Sequence, residues 1–150
     1  MLDRLTGKPL TEVIRKVAPN GGVEPSERAK TQPFSGFHTL AKPPLTERDM
    51  WGMSPIDQML CRIQFRQASY AGIYTPPTTK QPWIQYPGYN GGSDWGGVAV
   101  DTKQRIIVAN YNDIPNYNRL IPRAETDALL LSEKAGSHAA LAPQKGAPYG

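Results

Sequence analysis

The feature that most constrains this chain is a glycine-rich stretch at residues 86–97, which leads into two short apolar runs. Five glycines lie within these twelve residues. Glycine adopts backbone conformations that a Cβ forbids, and it lets other groups approach the main chain closely. The apolar runs, residues 98–100 and 105–109, are joined by the polar turn Asp101-Thr-Lys-Gln104. This pattern predicts a β-hairpin that follows a loop suited to close approach.

Composition limits the class of protein. The 150 residues include 15 Pro and 14 Gly, about a fifth of the chain, against an average near 12%. No apolar run approaches the roughly 20 residues that span a bilayer, and the N-terminus lacks the apolar core of a signal peptide. The net charge of +4 is scattered along the chain. Without a basic stripe interleaved with aromatic residues, we expect no nucleic-acid binding.

Residues that usually carry catalysis or metal binding are sparse. The two histidines, His38 and His138, are far apart, and no nucleophile elbow, zinc-protease or phosphate-loop motif is present. Cys61 is the single cysteine, which excludes an intrachain disulfide and a CxxC metal site. Its apolar neighbours indicate a buried small residue. From the residues alone we therefore predict no catalytic group and no metal ligand within this chain.

The chain divides into four zones and a tail. Residues 1–31 contain a turn at 2–8 and a β-branched run at 12–17, and residues 32–44 predict an ordered but irregular connection. Residues 70–122 are β in character. Residues 124–135 have slight helical character, and 136–146 are of low complexity. We therefore expect a domain over 1–123, with 124–150 as a low-complexity loop or insertion leading to a next, missing strand.

The third zone predicts a helix over residues 55–65, preceded by a turn at 46–49. Ser54 suits the N-cap, Pro55 the first helical position and Asp57 the first turn. An apolar face follows at i, i+3, i+4 and i+7, formed by Ile56, Met59, Leu60 and Ile63. This face predicts packing into a core, and we expect the same of Met53 and Met59 rather than a role as sulfur ligands.

Several separate motifs, in the same order, closely resemble the membrane-bound quinoprotein dehydrogenases of the glucose/quinate/shikimate type. The resemblance spans about residues 1–123 and resumes at 148–150. The motifs are Leu2-Asp-Arg-Leu-Thr-Gly-Lys-Pro9, Asp49-Met-Trp-Gly-Met-Ser-Pro-Ile-Asp-Gln-Met-Leu-Cys-Arg-Ile-Gln-Phe65, Tyr70-Ala-Gly-Ile-Tyr-Thr-Pro-Pro77, Tyr86-Pro-Gly-Tyr-Asn-Gly-Gly-Ser-Asp-Trp-Gly-Gly97 and Arg119-Leu-Ile-Pro-Arg123.

The resemblance implies an all-β fold, a fragment of an eight-bladed quinoprotein β-propeller. This chain would supply about two blades, with a short helix and long loops. The family implies a periplasmic location at the bacterial inner membrane, a sugar or polyol substrate with glucose favoured, and ubiquinone as electron acceptor. Because closure protects the edges of a propeller, we expect an isolated piece to need the remainder of the propeller as partner and to be unstable or prone to aggregation.

The cofactor that the resemblance implies is pyrroloquinoline quinone (PQQ), with a divalent cation, calcium or magnesium, held mostly by residues outside this chain. Asn110 matches a cofactor-contacting asparagine of the family, and its amide can donate to a quinone or carboxylate oxygen; an asparagine that simply ends a strand is the alternative. Asp94 and Trp95 match an Asn-Trp pair beside the cofactor in alcohol-oxidising relatives. A carboxylate there faces an anionic cofactor, which is unfavourable unless a cation intervenes. Trp95 equally fits a structural residue of a blade.

Two further arginines and two function classes complete the predictions. Arg119 and Arg123 can pair with carboxylates, and surface salt bridges are the simpler expectation. The first function class is part of a PQQ-dependent dehydrogenase, and the second is a non-catalytic propeller fragment that acts as a structural or interaction module. An upstream catalytic aspartate, lysine and metal ligands would belong only to the first class.

Overall fold

The structure is a computed structural model, and it describes residues 2–37, 39, 40, 42–89, 92, 96–132, 144 and 146–150. Its strands pair antiparallel as three two-stranded sheets, β1–β2, β3–β6 and β4–β5. Within the described residues no four-stranded blade is complete. In chain order the elements are β1 Val13–Val17, β2 Thr31–Ser35, a 3-10 helix Glu47–Asp49, α1 Pro55–Gln67, β3 Trp83–Gln85, β4 Val98–Asp101, β5 Ile106–Ala109, β6 Asn116–Asn118 and α2 Arg123–Ser132.

The first sheet confirms the strand expected from the β-branched run and corrects the zone that follows it. In β1, Val13 pairs with Ser35 and Val17 with Thr31. Residues 31–35 are therefore a strand, whereas the sequence predicted an irregular connection from residue 32. The run contains a proline and has little β-branched content, so its strand state depends on the partner strand rather than on local preference.

Helix α1 begins where its capping residues predict. Ser54 and Asp57 form a capping box, in which the Asp57 backbone N–H donates to the Ser54 hydroxyl at 3.2 Å, and Pro55 occupies the first turn. The helix ends at Gln67, two residues beyond the predicted end. The predicted turn before it is the 3-10 helix Glu47–Asp49, at whose start the Asp49 carboxylate accepts hydrogen bonds from the Thr46 backbone N–H at 2.6 Å and from its hydroxyl at 2.8 Å. The capping residues thus predicted the start of this helix correctly, and the pattern predicted its end to within two residues.

The apolar face of α1 is not covered by the described part of the chain, so the predicted core packing is wrong there. Met53 is 88% exposed, Ile56 66% and Met59 52%. Cys61, predicted to be buried, is half-buried. A periodic apolar face predicts that a helix has a covering surface, but it does not say which segment supplies that surface.

The C-terminal residues return to pair with the segment before α2. Ile121 and Gly150 exchange two backbone hydrogen bonds of 2.9 and 2.8 Å, beside an isolated bridge between Pro122 and Tyr149. Thr126 in α2 is fully buried, and its hydroxyl donates to the Ile121 carbonyl at 3.2 Å. Helix α2 forms where the sequence shows only slight helical character.

The buried apolar residues of the described chain are few. They are Ala18, Ile84 and Tyr86, and the last two lie in and directly after β3. The described helices are all too short or too polar to cross a bilayer. Ile84 and Tyr86, the two larger of these buried side chains, therefore lie in β3 and at the start of the glycine-rich stretch.

Candidate functional site

Strands β3 to β6 form one interrupted antiparallel arm, and this arm carries the glycine-rich stretch. Gln85 pairs with Asn116 at the base of the arm, where the β3–β6 pair ends, and Val98 pairs with Ala109 where the β4–β5 pair begins. The first side of the arm takes thirteen residue steps between these pairs and the second side takes seven. Between these two pairs the first side is thus six residues longer than the second, and residues 90, 91 and 93–95 of it lie outside the described residues.

Two backbone contacts join described glycines of this stretch to the opposite side. The Gly88 N–H donates to the Ile114 carbonyl at 2.9 Å, and Gly92 exchanges hydrogen bonds of 2.7 and 3.1 Å with Asn112. Gly92 has a φ of 77°, a conformation that favours glycine. Gly88 and Gly92 therefore form cross-strand hydrogen bonds although the first side of the arm is the longer one.

Gly88 is required for a different reason, which is space. A Cβ placed on it would stand 1.9 Å from the Asn116 Oδ1 atom and 2.7 Å from the Ile114 carbonyl oxygen. Real Cβ atoms essentially never approach a neighbour so closely. The two sides of the arm can therefore approach each other this closely only because residue 88 is a glycine.

Asn110 directly follows β5, the second strand of the predicted hairpin, and its side chain is exposed. The hairpin itself is confirmed, with Val100 opposite Ile107. The Asn110 side chain lies against Gly96, whose Cβ would stand 3.4 Å from the Asn110 amide nitrogen. An exposed amide beside a backbone without side chains can hydrogen-bond an oxygen of a flat ligand.

Asp94 and Trp95, the other two predicted cofactor contacts, lie outside the described residues, as do His38 and His138. Their assignment as cofactor contacts therefore stays a prediction. Where the chain is described, no three acidic, histidine or cysteine side chains come together as a metal site. Arg119 lies 3.6 Å from Glu125 and Arg123 lies 3.2 Å from Asp127. Both arginines therefore form salt bridges with carboxylates of this chain, which was the simpler of the two expectations.

Sequence reasoning missed a polar cluster at the base of the arm. The hydroxyl of Tyr86, which is 5% exposed, donates to the Asp113 carboxylate across the arm. The Lys42 ammonium lies 3.0 Å from the same carboxylate. Tyr86 is 27 positions and Lys42 is 71 positions from Asp113 in the chain, so no local sequence pattern could have predicted that they meet. The only sequence signal is an acidic residue just before Ile114 and Pro115 in a β-rich zone.

Burial, followed by the hydrogen bond to Asp113, raises the pKa of Tyr86 above its ordinary value. The hydrogen bond from Tyr86, followed by Lys42, lowers the pKa of Asp113. Each group thus favours the protonation state that the other needs. At neutral pH the tyrosine is neutral and donates, and the aspartate is charged and accepts.

A cleft of about 490 Å³ lies beside this cluster and has Tyr86 in its wall. Its lining combines aromatic rings with two ammonium groups, one of which, Lys16, stands 4.8 Å above the Phe34 ring. Tyr86 therefore both closes the base of the arm and forms part of the cleft wall. The lining residues are Lys16, Pro33, Phe34, Ser35, Thr39, Lys42, Pro44, Tyr70, Ile73, Tyr74, Tyr86 and Pro87.

Comparison with known proteins identifies the class. A family model described as "PQQ: Glucose/ethanol/alcohol dehydrogenase, beta-propeller domain" matches residues 1–150. The chain therefore belongs to this family of PQQ-dependent β-propeller dehydrogenases, as the motifs predicted. No solved structure matches it.

Individual relatives carry several substrate names. The glycerol dehydrogenase large subunit of Gluconobacter thailandicus is 53% identical over 131 residues, which are 86% of this chain and 18% of the relative. Quinoprotein glucose dehydrogenase A of Acinetobacter calcoaceticus is 36% identical over 155 residues, covering 100% of this chain and 19% of the relative. The quinate/shikimate dehydrogenase (quinone) of Acinetobacter baylyi is also 36% identical, with 99% and 19% covered. The chain thus spans about a fifth of the length of these curated relatives.

Proposed function

We propose that this chain is part of a PQQ-dependent dehydrogenase that oxidises a polyol or sugar and passes the electrons to ubiquinone at the periplasmic face of the inner membrane. The observation that carries the proposal is the family match along all 150 residues. Bound PQQ would supply an ortho-quinone that accepts a hydride equivalent from the substrate alcohol. The chain's own contribution is to bind and orient that ring.

Asn110 is the residue that we assign to the cofactor. Its exposed amide follows β5, and beside it Gly96 and Gly97 present main chain rather than side chains. Among the described residues, and apart from their neighbours in the chain, no atom lies within 4 Å of the Cβ positions of Gly92 and Gly97. This combination of an amide donor and open glycine backbone fits a planar ring with carboxylate and carbonyl oxygens. Asp94 and Trp95 remain further candidates, and a divalent cation would be held mostly by residues outside this chain.

For the substrate we favour a linear polyol of the glycerol type over glucose, although the sequence motifs alone favoured glucose. The support is the degree of identity, 53% with the glycerol dehydrogenase large subunit against 36% with a quinoprotein glucose dehydrogenase. The relative's designation as a large subunit also supports a companion subunit for the present protein. Residues 1–123 would form the propeller part, and 124–150 a connection that varies among relatives.

The test uses the whole enzyme that carries this chain, prepared without cofactor and titrated with PQQ. Asn110→Ala should raise the dissociation constant of PQQ about ten- to a hundredfold, because a hydrogen bond to a charged group contributes roughly 1.5–3 kcal/mol. Asn118→Ala, at the far end of β6, is the matched control. An unchanged dissociation constant for Asn110→Ala with normal thermal unfolding would remove Asn110 from the site.

Substrate class is tested on the wild-type holoenzyme by comparing kcat/KM for glycerol, sorbitol, glucose and quinate with a dye or a short-chain ubiquinone. We expect the linear polyols to have the highest values. Preference for glucose would overturn the substrate assignment but leave the dehydrogenase. Absence of PQQ binding by the whole enzyme would instead favour the second function class, a non-catalytic interaction module.

A further inference from the structure

The cluster of Tyr86, Asp113 and Lys42 occupies a particular place in the arm. Asp113 lies between Asn112, which exchanges two backbone hydrogen bonds with Gly92, and Ile114, which accepts one from Gly88. Its side chain meanwhile accepts from Tyr86 on the opposite side. Asp113 thus adds a side-chain connection among the backbone contacts that join Gly88 and Gly92 to the opposite side.

The contacts between described residues across the arm include one at Asn110. Going outward, Gly88 lies opposite Ile114, Gly92 opposite Asn112, Gly96 beside Asn110 and Val98 opposite Ala109. The Tyr86 side chain reaches diagonally across this order to Asp113. A strand rich in glycine can pair in alternative registers, because glycine tolerates many backbone conformations. A fixed side-chain contact at Asp113, next to Asn112, favours one of these pairings, and the position of Asn110, two residues further along the same side, depends on it.

The chemistry of the cluster suits a positioning role. Tyr86 is buried, so its hydroxyl would lose a hydrogen bond without replacement from solvent if Asp113 were removed. Lys42 reaches the carboxylate from the loop that precedes the 3-10 helix Glu47–Asp49, and its side chain is 62% exposed. The exposed ammonium contributes little to stability on its own. It does tie a third segment to the same carboxylate.

We propose that Tyr86, Asp113 and Lys42 form a positioning clamp that fixes how Gly88 and Gly92 pair with the opposite side of the arm and thereby aims the Asn110 amide at the cofactor. The inference rests on the proposed function for the identity of that ligand. Tyr86 and Asp113 touch neither PQQ nor substrate in this proposal and act only through the arm. The clamp should therefore affect cofactor binding more than overall folding.

The test is made in the whole enzyme with Tyr86→Phe, which keeps the buried ring and removes only the hydroxyl. We expect the dissociation constant of PQQ to rise roughly tenfold and the midpoint of thermal unfolding of the apoenzyme to change little. Lys42→Met, at a position whose side chain is 62% exposed, should give a smaller rise. Tyr117→Phe in β6, a tyrosine that is 47% exposed, is the matched control and should leave PQQ binding unchanged.

Two further measurements separate positioning from a merely structural role. Hydrogen exchange of the Gly92 and Asn112 amides in the apoenzyme should be faster in Tyr86→Phe than in wild type. In a double-mutant cycle, the effects of Tyr86→Phe and Asn110→Ala on PQQ binding should be strongly non-additive, because one acts through the other. Additive effects, or a lowered unfolding midpoint with unchanged PQQ binding and unchanged exchange, would overturn the clamp.

The outcomes also distinguish this inference from the proposed function. If the wild-type enzyme binds PQQ but Tyr86→Phe binds it equally well, the clamp is wrong and the proposed function stands. If the wild-type enzyme does not bind PQQ, the proposed function is wrong, and with it the cofactor part of this inference. Faster exchange at Gly92 and Asn112 in Tyr86→Phe would then still support a clamp on the register of the arm.

Discussion

The Asn110 side chain rests against Gly96: a Cβ placed on Gly96 would stand 3.1 Å from the Asn110 Cβ. The contact joins the first residue after β5 to the glycine-rich stretch on the other side of the arm. Such a distance is tighter than most Cβ contacts, so a neighbour must give way by a few tenths of an ångström. The position of the Asn110 side chain is therefore sensitive to the residue at position 96.

Gly96→Ala in the whole enzyme should consequently weaken PQQ binding. The added methyl displaces the Asn110 amide, and a loss of roughly 1.5 kcal/mol corresponds to about tenfold in the dissociation constant. Gly92→Ala is an informative comparison. Its Cβ has open space but its φ is 77°, so it should lower the unfolding midpoint through backbone strain. Unaltered PQQ affinity in Gly96→Ala would show that Asn110 is not at the site or adapts freely.

Gly88→Ala should destabilise the arm itself. The new Cβ would meet the Asn116 Oδ1 atom at 1.9 Å and the Ile114 carbonyl oxygen at 2.7 Å, and overpacking of this kind costs about 1–3 kcal/mol. Differential scanning calorimetry at a fixed scan rate measures the loss. Combining it with Asn116→Ala should recover only part of the stability, because the Ile114 carbonyl remains. A stable Gly88→Ala variant would contradict the close approach.

Local elements of this fold were predictable and the long-range pairings were not. The capping box of Ser54 and Asp57 and the short turn after Asp101 act over three to four residues, so sequence patterns reveal them. The pairing of Trp83 with Asn118 spans 35 residues and has no local signature. Asn110 could be proposed as a cofactor contact because it matches a position of the family motif. Tyr86 and Asp113 could not, because only the fold brings their side chains together.

Arg123 should hold the C-terminal residues in place. Its guanidinium donates to the carbonyl oxygens of Ala147, Gln144 and Tyr149 at 2.8, 2.9 and 2.7 Å. Arg123→Ala leaves these carbonyls without their donor, so amide exchange at Gly150 should accelerate at least about tenfold. Arg119→Ala is the matched control. Its ion pair with Glu125 is longer and exposed, and a similar acceleration there would show that the arginine contacts at Arg123 are not the cause.

An ion-pair cluster next to α1 makes a prediction about pH. Arg66, followed by Arg62, lowers the pKa of Glu47 below its ordinary value of 4.5. Because the pKa of Glu47 is lower in the folded state, its ion pairs stabilise the fold above about pH 4.5. This contribution is lost as the pH falls through the folded-state pKa.

Arg66→Ala should therefore lower the unfolding midpoint at pH 7, and the difference from wild type should shrink near pH 3. Arg48→Ala, an exposed arginine outside this cluster, provides the control. A difference that is constant across this range would argue against the ion pair as its origin.

The 150-residue chain by itself should be inactive and should self-associate. The hairpin β4–β5 exposes apolar side chains on both faces, with Val100 and Ile107 on one and Val108 on the other, each 60–63% exposed. Exposed apolar strands of this kind are prone to edge-to-edge association. Analytical ultracentrifugation and an apolar dye test this, and Val100→Lys should reduce the association.

With PQQ, calcium or magnesium and an artificial acceptor, the purified chain should reduce no more dye with glycerol or glucose than a sample without protein. The whole enzyme is the positive control, and turnover by the chain alone would show that a complete site lies within these 150 residues.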